Sequence, residues 1–187
     1  MRSVISALVM NEPGVLANVA GMFAARGYNI DSLVVGRTEN PELSRMTIVC
    51  TGDENTLERV RKQLAKLVPV VRVRDFKDAA YIERDLVLLT VNAGAGQRSE
   101  ITELVALFRG RIVDVSRNSL MVEMSGTEDK LEAFIELMRG YGIKELARTG
   151  VIAMARGTQL GREEGGDPPK GRKRSLHGPA SQALPPS

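Results

Sequence analysis

The sequence predicts an α+β fold of two tandem ferredoxin-like domains, each with the element order β-α-β-β-α-β, and a disordered C-terminal tail. Apolar residues alternate between strand-like and helix-like spacing in the same order twice along the chain. The repeat is about 80 residues long, which indicates duplicated domains rather than a solenoid. This order is typical of a four-stranded antiparallel sheet with two helices on one face. We place the domains at residues 1–77 and 78–158, and the tail at residues 159–187.

The first repeat opens with an apolar run of strand length. Pro13 suits the first position of the helix that follows, and Gly27 ends that helix. Asn40-Pro41 marks the turn between two strands, and Asp53 or Asn55 can cap the second helix. The predicted strands are residues 4–10, 29–35, 46–51 and 71–73, and the apolar helix faces are Leu16, Val19, Ala20 and Phe23, then Leu57, Val60, Leu64 and Leu67.

The second repeat follows the same order. Ser99 is the expected cap of its first helix, and Thr127 opens the second helix, which Gly142 closes. Strand-like spacing predicts that residues 150–155 form the last strand of the repeat. The other predicted strands are residues 86–91, 111–115 and 119–124, and the helix faces are Ile101, Leu104, Val105 and Phe108, then Leu131, Ile135 and Met138.

The C-terminal segment differs in composition from the two repeats. Residues 161–187 hold five of the eight prolines, five glycines, no aromatic residue and two leucines, too little apolar surface to offset the chain entropy lost on folding. They also hold five Lys/Arg against three Asp/Glu, so +2 of the net charge of +3 lies there. The nearly neutral remainder argues against a nucleic-acid-binding face. The basic run at residues 170–174 is typical of a solvated charge run, with contact to nucleic acid or an acidic partner as the alternative.

The composition argues against catalysis and against a metal site. The chain has one His, one Cys and no Trp. A zinc site needs four nitrogen or sulfur ligands, or three with water, which this inventory cannot supply. A Ser-His or Cys-His nucleophile would have to use His177, in the tail. No apolar run approaches the roughly 20 residues of a membrane span, and the N-terminus lacks a signal-peptide pattern, so we expect a cytoplasmic protein without membrane contact.

The segment from Asn11 to Leu16 is the first candidate binding site. It joins the first strand to the first helix, and free N–H groups at a helix N-terminus attract an anion. Because Pro13 has no N–H, the donors would be Gly14, Val15 and Leu16. The Asn11 amide offers both a donor and an acceptor to an amino-acid head group. A helix cap and tight turn without a ligand is the alternative interpretation.

The segment around Asn29 is the second candidate site. Asn29 is predicted to begin a strand, where its amide can hold a ligand head group beside an apolar wall of Ile30, Leu33 and Val35. A polar residue on an edge strand after a helix C-cap is the alternative.

Other segments favour simpler interpretations. Gly94, Gly96 and Arg98 can be read as a phosphate cradle of an acylphosphatase-like hydrolase, but a lone Gly-x-Gly-x-Arg motif favours a flexible loop. Cys50 lies in a strand pattern and is expected to be a small buried hydrophobe. An RNA-binding ferredoxin-like domain needs stacking aromatics on its central strands, and residues 46–51 and 120–124 have none.

Several segments of the chain occur together in a specific order. In the first repeat they are residues 11–16 (Asn-Glu-Pro-Gly-Val-Leu), 26–33 (Arg-Gly-Tyr-Asn-Ile-Asp-Ser-Leu) and 43–48 (Leu-Ser-Arg-Met-Thr-Ile). Residues 81–86, 142–150 and 153–157 continue the series. Together they closely resemble the small regulatory subunit of acetolactate synthase (acetohydroxyacid synthase) over nearly all of residues 2 to 157. That subunit begins with an ACT domain, a ferredoxin-like module that binds amino acids.

The resemblance implies a non-catalytic subunit that activates a separate catalytic large subunit and confers feedback inhibition by valine in branched-chain amino-acid biosynthesis. Thiamine diphosphate, Mg²⁺ and FAD are then expected on the catalytic chain, and L-valine is the expected ligand of the chain described here. The site is expected between the ACT domains of a homodimer. It would use Asn11, Gly14, Val15 and Leu16 of one chain and Asn29 and Ile30 of the other, with Leu33 and Val35 as the apolar wall. Another tandem ACT regulator that senses a different amino acid is the alternative.

Overall fold

Two antiparallel sheets follow each other along the chain in the computed structural model, which describes residues 1–77, 79–94 and 96–157. The first unit contains β1 (Arg2–Met10), α1 (Val15–Ala24), β2 (Ser32–Arg37), β3 (Leu43–Thr51), α2 (Glu54–Leu64) and β4 (Val70–Asp75). The second contains β5 (Tyr81–Asn92), α3 (Arg98–Leu107), β6 (Arg111–Ser116), β7 (Ser119–Gly126), α4 (Glu128–Arg139), β8 (Ile143–Arg148) and β9 (Ile152–Ala155). The strand orders are β2-β3-β1-β4 and β6-β7-β5-β8, with β9 paired to β5. The predicted α+β fold of two ferredoxin-like units is confirmed, and the predicted tail lies outside the described residues.

The core of the first unit lies between its sheet and its two helices. Ile5, Ala7 and Val9 of β1 alternate along the strand, and all three are fully buried on the helix side. Three of the predicted α2 residues, Leu57, Val60 and Leu64, are buried against them. The prediction for α1 was partly wrong, because Leu16 is 48% exposed. Since α1 begins at Val15, the buried face is formed by Val15, Val19, Met22 and Phe23 at helical spacing.

The second unit corrects the predicted position of its last strand. The fourth strand of the βαββαβ order is β8, at residues 143–148, whereas β9 is an additional strand that pairs with the first residues of β5. The β8 sequence shows no apolar alternation because five of its six residues are exposed on an edge strand. The helix prediction held for α4, where Leu131, Ile135 and Met138 are buried together with Phe134.

Three predicted element ends also differ from the structure. Gly14 is the N-cap of α1, so Pro13 precedes the helix instead of opening it. Residues 29–31 lie in the connection before β2, which begins at Ser32. Ser99 lies inside α3, whose N-cap is Gln97 without a side-chain cap bond. Thr127 and Asp53 are the N-caps of their helices, as predicted.

The turn between β8 and β9 packs against the first unit. Gly150 has a φ of 86° and lies close to Ser32 and Val34 of β2. The Val151 N–H donates to the Ser32 hydroxyl at 3.1 Å. Val151 and Ala153 join a small core with Val4 and Val49 on the face of the first sheet that is remote from its helices. One part of the second unit therefore covers part of the open face of the first sheet.

Candidate functional site

Asn11 is held in a fixed orientation at the end of β1. Its Nδ2 donates to the Pro41 carbonyl at 2.9 Å, and its Oδ1 accepts from the buried Ser44 hydroxyl at 3.1 Å. Its backbone N–H donates to the Glu42 carbonyl at 2.7 Å. Because these partners lie in the β2–β3 turn and at the start of β3, the turn fixes the side chain. The amide keeps one further N–H and one further lone pair for a ligand.

Gly14 forms the uncapped N-terminus of α1. Its φ of 84° is a left-handed conformation that glycine adopts without a steric penalty. No side chain accepts a hydrogen bond from the first turn of this helix. The Val15 N–H donates to the Glu12 carbonyl at 3.5 Å, a long contact that an incoming acceptor can replace. The N–H groups of the first turn have no acceptor within the helix, and the helix dipole favours a negatively charged acceptor from outside.

The two residues after Gly14 point in different directions. The Val15 side chain is 5% exposed and belongs to the core, whereas Leu16 is exposed beside the helix N-terminus. Their predicted role as backbone donors fits their position in the first turn, since it requires only the peptide N–H groups. The Leu16 side chain is available for apolar contact with a ligand or with another chain.

The second candidate segment lies before β2. The Nδ2 atom of Asn29 donates to the Asp31 carboxylate at 2.9 Å, which orients the exposed amide. The Asp31 N–H donates to the Val49 carbonyl at 2.9 Å, so the segment is anchored to β3. Ile30 is half-buried against the core. The spacing of Asn29 and Asp31 is the sequence signal for this local bond, whereas the support of Asn11 by Ser44 depends on strand register and could not be read from spacing.

The predicted apolar wall lies on the helix side of the edge strand β2. Leu33 pairs with Ile48 and is half-buried against the core, and Val35 pairs with Met46 and is 42% exposed. Both side chains therefore face the layer that contains α1. Val35 leaves an apolar contact surface at the edge of the sheet.

The two candidate segments of one chain lie at opposite ends of the first sheet. Asn11 follows β1, whose last residue pairs with Leu43 of β3. Asn29 precedes β2, whose first residue pairs with Val49 of β3. Six residue steps of strand separate Leu43 from Val49, about 20 Å at roughly 3.3 Å per residue. One small ligand therefore cannot contact both asparagines of the same chain.

The loop before α3 is organised by its arginine. The Arg98 guanidinium donates to the carbonyls of Ala93, Ser116 and Arg117. These bonds orient the side chain toward backbone carbonyls, which disfavours an anion-binding role in a phosphate cradle. The geometry favours the interpretation as a structural loop.

The one cysteine of the chain, Cys50, is buried in the first unit. Burial raises the pKa of the Cys50 thiol to about 11, because the charged thiolate is poorly solvated there. Cys50 is 2% exposed, which confirms the prediction of a small buried hydrophobe. Across residues 1–77, 79–94 and 96–157, no group of three or more His, Cys, Asp or Glu side chains is arranged to hold a metal ion. Within the same ranges, no helix has the length and apolar character needed to cross a membrane.

Comparison with known families divides the chain into the same two parts. Residues 5–72 match the model of the AHAS small subunit-like ACT domain. Residues 84–157 match the model of the small subunit of acetolactate synthase. The two matches correspond closely to the first and second sheet units.

Individual relatives agree with the family matches. A probable acetolactate synthase small subunit of Archaeoglobus fulgidus is 55% identical over 159 residues, covering 85% of this chain and 99% of the relative. The acetolactate synthase isozyme 3 small subunit of Salmonella typhimurium is 44% identical over 161 residues, covering 86% of this chain and 99% of the relative. The crystal structure of the acetolactate synthase small subunit from Thermotoga maritima superposes with a TM-score of 0.77 at 43% identity, covering 83% of this chain and 98% of that one.

Proposed function

The chain belongs to the family of acetolactate synthase small subunits, and we propose that it is the regulatory subunit that activates a catalytic large subunit and makes it sensitive to valine. The observation that carries the valine site is the uncapped N-terminus of α1 beside the oriented Asn11 amide. An α-amino acid presents a carboxylate and an ammonium group close together. The helix N-terminus suits the first group, and asparagine oxygens suit the second.

We propose that the site is completed by a second copy of this chain. β2 is an edge strand of the described sheet, with an exposed Val35. Antiparallel pairing of β2 with β2 of a second copy about a two-fold axis would bring the start of one strand beside the end of the other. That arrangement moves Asn29 and Ile30 of one chain toward Asn11 and Gly14 of its partner. The separation of about 20 Å within one chain supports this homodimer through the ACT domains.

In this arrangement the valine carboxylate accepts from the first-turn N–H groups of α1, and the asparagine amides bind its ammonium group. Ile30, Leu33 and the exposed Val35 then provide the surface for the isopropyl group. An apolar pocket separates side chains that differ by one methylene by only about 1–3 kcal/mol. We therefore expect leucine and isoleucine to compete at higher concentration.

Regulation requires that valine bind two states of the complex with different affinity. A coupling free energy of about 1–3 kcal/mol between the valine site and the catalytic subunit is typical of such systems. Thiamine diphosphate, Mg²⁺ and FAD are assigned in this proposal to the catalytic chain, and the complex to the cytoplasm. A tandem ACT regulator that responds to another amino acid is the alternative.

Reconstitution with the large subunit tests the proposed function. Acetolactate formation from pyruvate is measured for the large subunit alone, with the full chain, and with the full chain plus valine. We expect the chain to raise the rate and valine to lower it again. No change in rate on adding the chain would exclude the regulatory role, and activation that responds to a different amino acid would favour the alternative.

A further inference from the structure

Three arginines lie together on the open face of the first sheet. Leu8 of β1 pairs with Arg45 of β3 on one side and with Arg72 of β4 on the other. One row further along, Ser6 pairs with Arg74 of β4. Since directly paired residues point to the same side of a sheet, the three arginines surround Leu8 and Ser6. We call this surface the basic face.

The basic face is the wall of a shallow cavity of about 170 Å³. The Arg45 guanidinium donates to the Ser6 hydroxyl at 3.2 Å, which holds one cation at the centre of the surface. The other wall of the cavity includes Met154 and Ala155 of β9. Three guanidinium groups around one cavity are suited to carboxylates, which they can bind with two parallel N–H bonds.

The described part of the chain ends beside this cavity. Gly157 is the last described residue and follows Ala155 by two positions. The next charged residues are Arg162, Glu163, Glu164 and Asp167. Glu163 is six residues beyond Gly157, a reach of up to roughly 20 Å for extended chain. The basic run at residues 170–174 comes later, so the acidic residues are the nearer part of the tail.

We propose that the acidic stretch of residues 163–167 of the same chain occupies the basic face. Its three carboxylates carry the charge opposite to that of the basic face, and the net charge stays negative when Arg162 is counted. A short tether keeps the carboxylates at an effective concentration of about the millimolar range, so individually weak ion pairs suffice. In this proposal the stretch would cover the part of the open sheet face beside that covered by Val151 and Ala153.

Zero-length carbodiimide cross-linking of the full chain tests the proposal, because the reagent joins a lysine amine to a carboxylate that touches it. Arg72→Lys and Arg74→Lys keep the charge and introduce the amine on the basic face. Arg59→Lys is the matched control, since Arg59 is an exposed arginine of α2 in the helix layer. A mixture of ¹⁴N- and ¹⁵N-labelled chains separates links within a chain from links between chains. Thermal melts establish that each variant is folded.

The expected result is a link within one chain from the introduced lysine to residue 163, 164 or 167. Its yield should exceed that from Arg59→Lys at least about fivefold, and fall by a similar factor at 1 M salt, where the Debye length is about 3 Å. The triple variant Glu163→Gln, Glu164→Gln, Asp167→Asn should abolish it. Equal yields from the basic face and the control position would overturn the proposal. Links only between chains would assign the face to a second copy, and links only to acids outside residues 163–167 would also overturn it.

Discussion

The Val151 N–H donates to the Ser32 hydroxyl at 3.1 Å, and this bond joins the second unit to the strand that follows the Asn29 segment. Gly150 lies directly against the same serine, and a Cβ added at Gly150 would come within 2.5 Å of the Ser32 Oγ. The candidate effector segment is therefore three residues from the place where the two units touch.

Gly150→Ala should destabilise the protein by about 2 kcal/mol or more. The φ of 86° disfavours a side chain, and the added methyl group also overlaps Ser32. Chemical denaturation of Gly150→Ala, Ser32→Ala and the double variant measures the coupling. The cost of Gly150→Ala should be smaller in the Ser32→Ala background. Gly36→Ala is the control, because Gly36 has no positive φ and a Cβ added there meets no atom within 4 Å. An equal loss of stability in Gly36→Ala would refute this explanation.

Asp85→Asn should cost about 3 kcal/mol, because the buried carboxylate accepts hydrogen bonds from Arg148, Thr149 and the Gly150 N–H, and the amide NH₂ of asparagine cannot accept them. The Asp85 side chain is 0% exposed, and it accepts from Arg148 at 2.6 Å and from the Gly150 N–H at 3.0 Å. Glu132→Gln is the matched control on the same arginine. Glu132 is 54% exposed, so its loss should cost less than about 1 kcal/mol. Similar unfolding free energies for the two variants would contradict the assigned role of Asp85.

The cap of α2 should make stability depend on pH. The Asp53 carboxylate accepts from the Thr56 N–H at 2.7 Å and from its hydroxyl at 3.1 Å, and these bonds lower the pKa of Asp53. Because the folded-state pKa lies below the unfolded value of about 3.9, the stabilisation is present above about pH 4 and is lost as the pH falls through the folded-state value. The free energies of unfolding of the wild type and Asp53→Asn, measured in urea, should differ at pH 6 and become equal at pH 2. A difference that persists unchanged at pH 2 would contradict the carboxylate's role.

Gly14→Asp should weaken valine binding at least about tenfold, since it places a negative charge where the valine carboxylate is proposed to bind. Gly14→Asn is the matched control, because Asn and Asp have the same shape and both tolerate the left-handed conformation. Calorimetric titration of each full-length variant measures the affinity. Equal affinities for the Asp and Asn variants would show that no carboxylate binds at this helix end.

Much of the fold could be predicted from apolar spacing, because buried strands and amphipathic helices must repeat at two or 3.6 residues. The β8 strand was not predicted, because an exposed edge strand does not need apolar residues at every second position. The helix N-terminus after Asn11 could be recognised from local chemistry, although its N-cap at Gly14 was not predicted. The opposite positions of Asn11 and Asn29 could not, because strand pairing rather than spacing sets them. The same holds for the basic face, whose arginines meet only through register.

A mixing experiment with two defective variants tests the shared valine site most directly. Gly14→Asp should disable one half of each site, and Asn29→His the other half. If each site combines Gly14 of one chain with Asn29 of its partner, coexpressed variants form mixed dimers in which one site is intact. Random pairing then restores about a quarter of the wild-type valine sites, measured by calorimetry. A mixture that binds no more valine than the two variants measured separately would contradict a site shared between two chains.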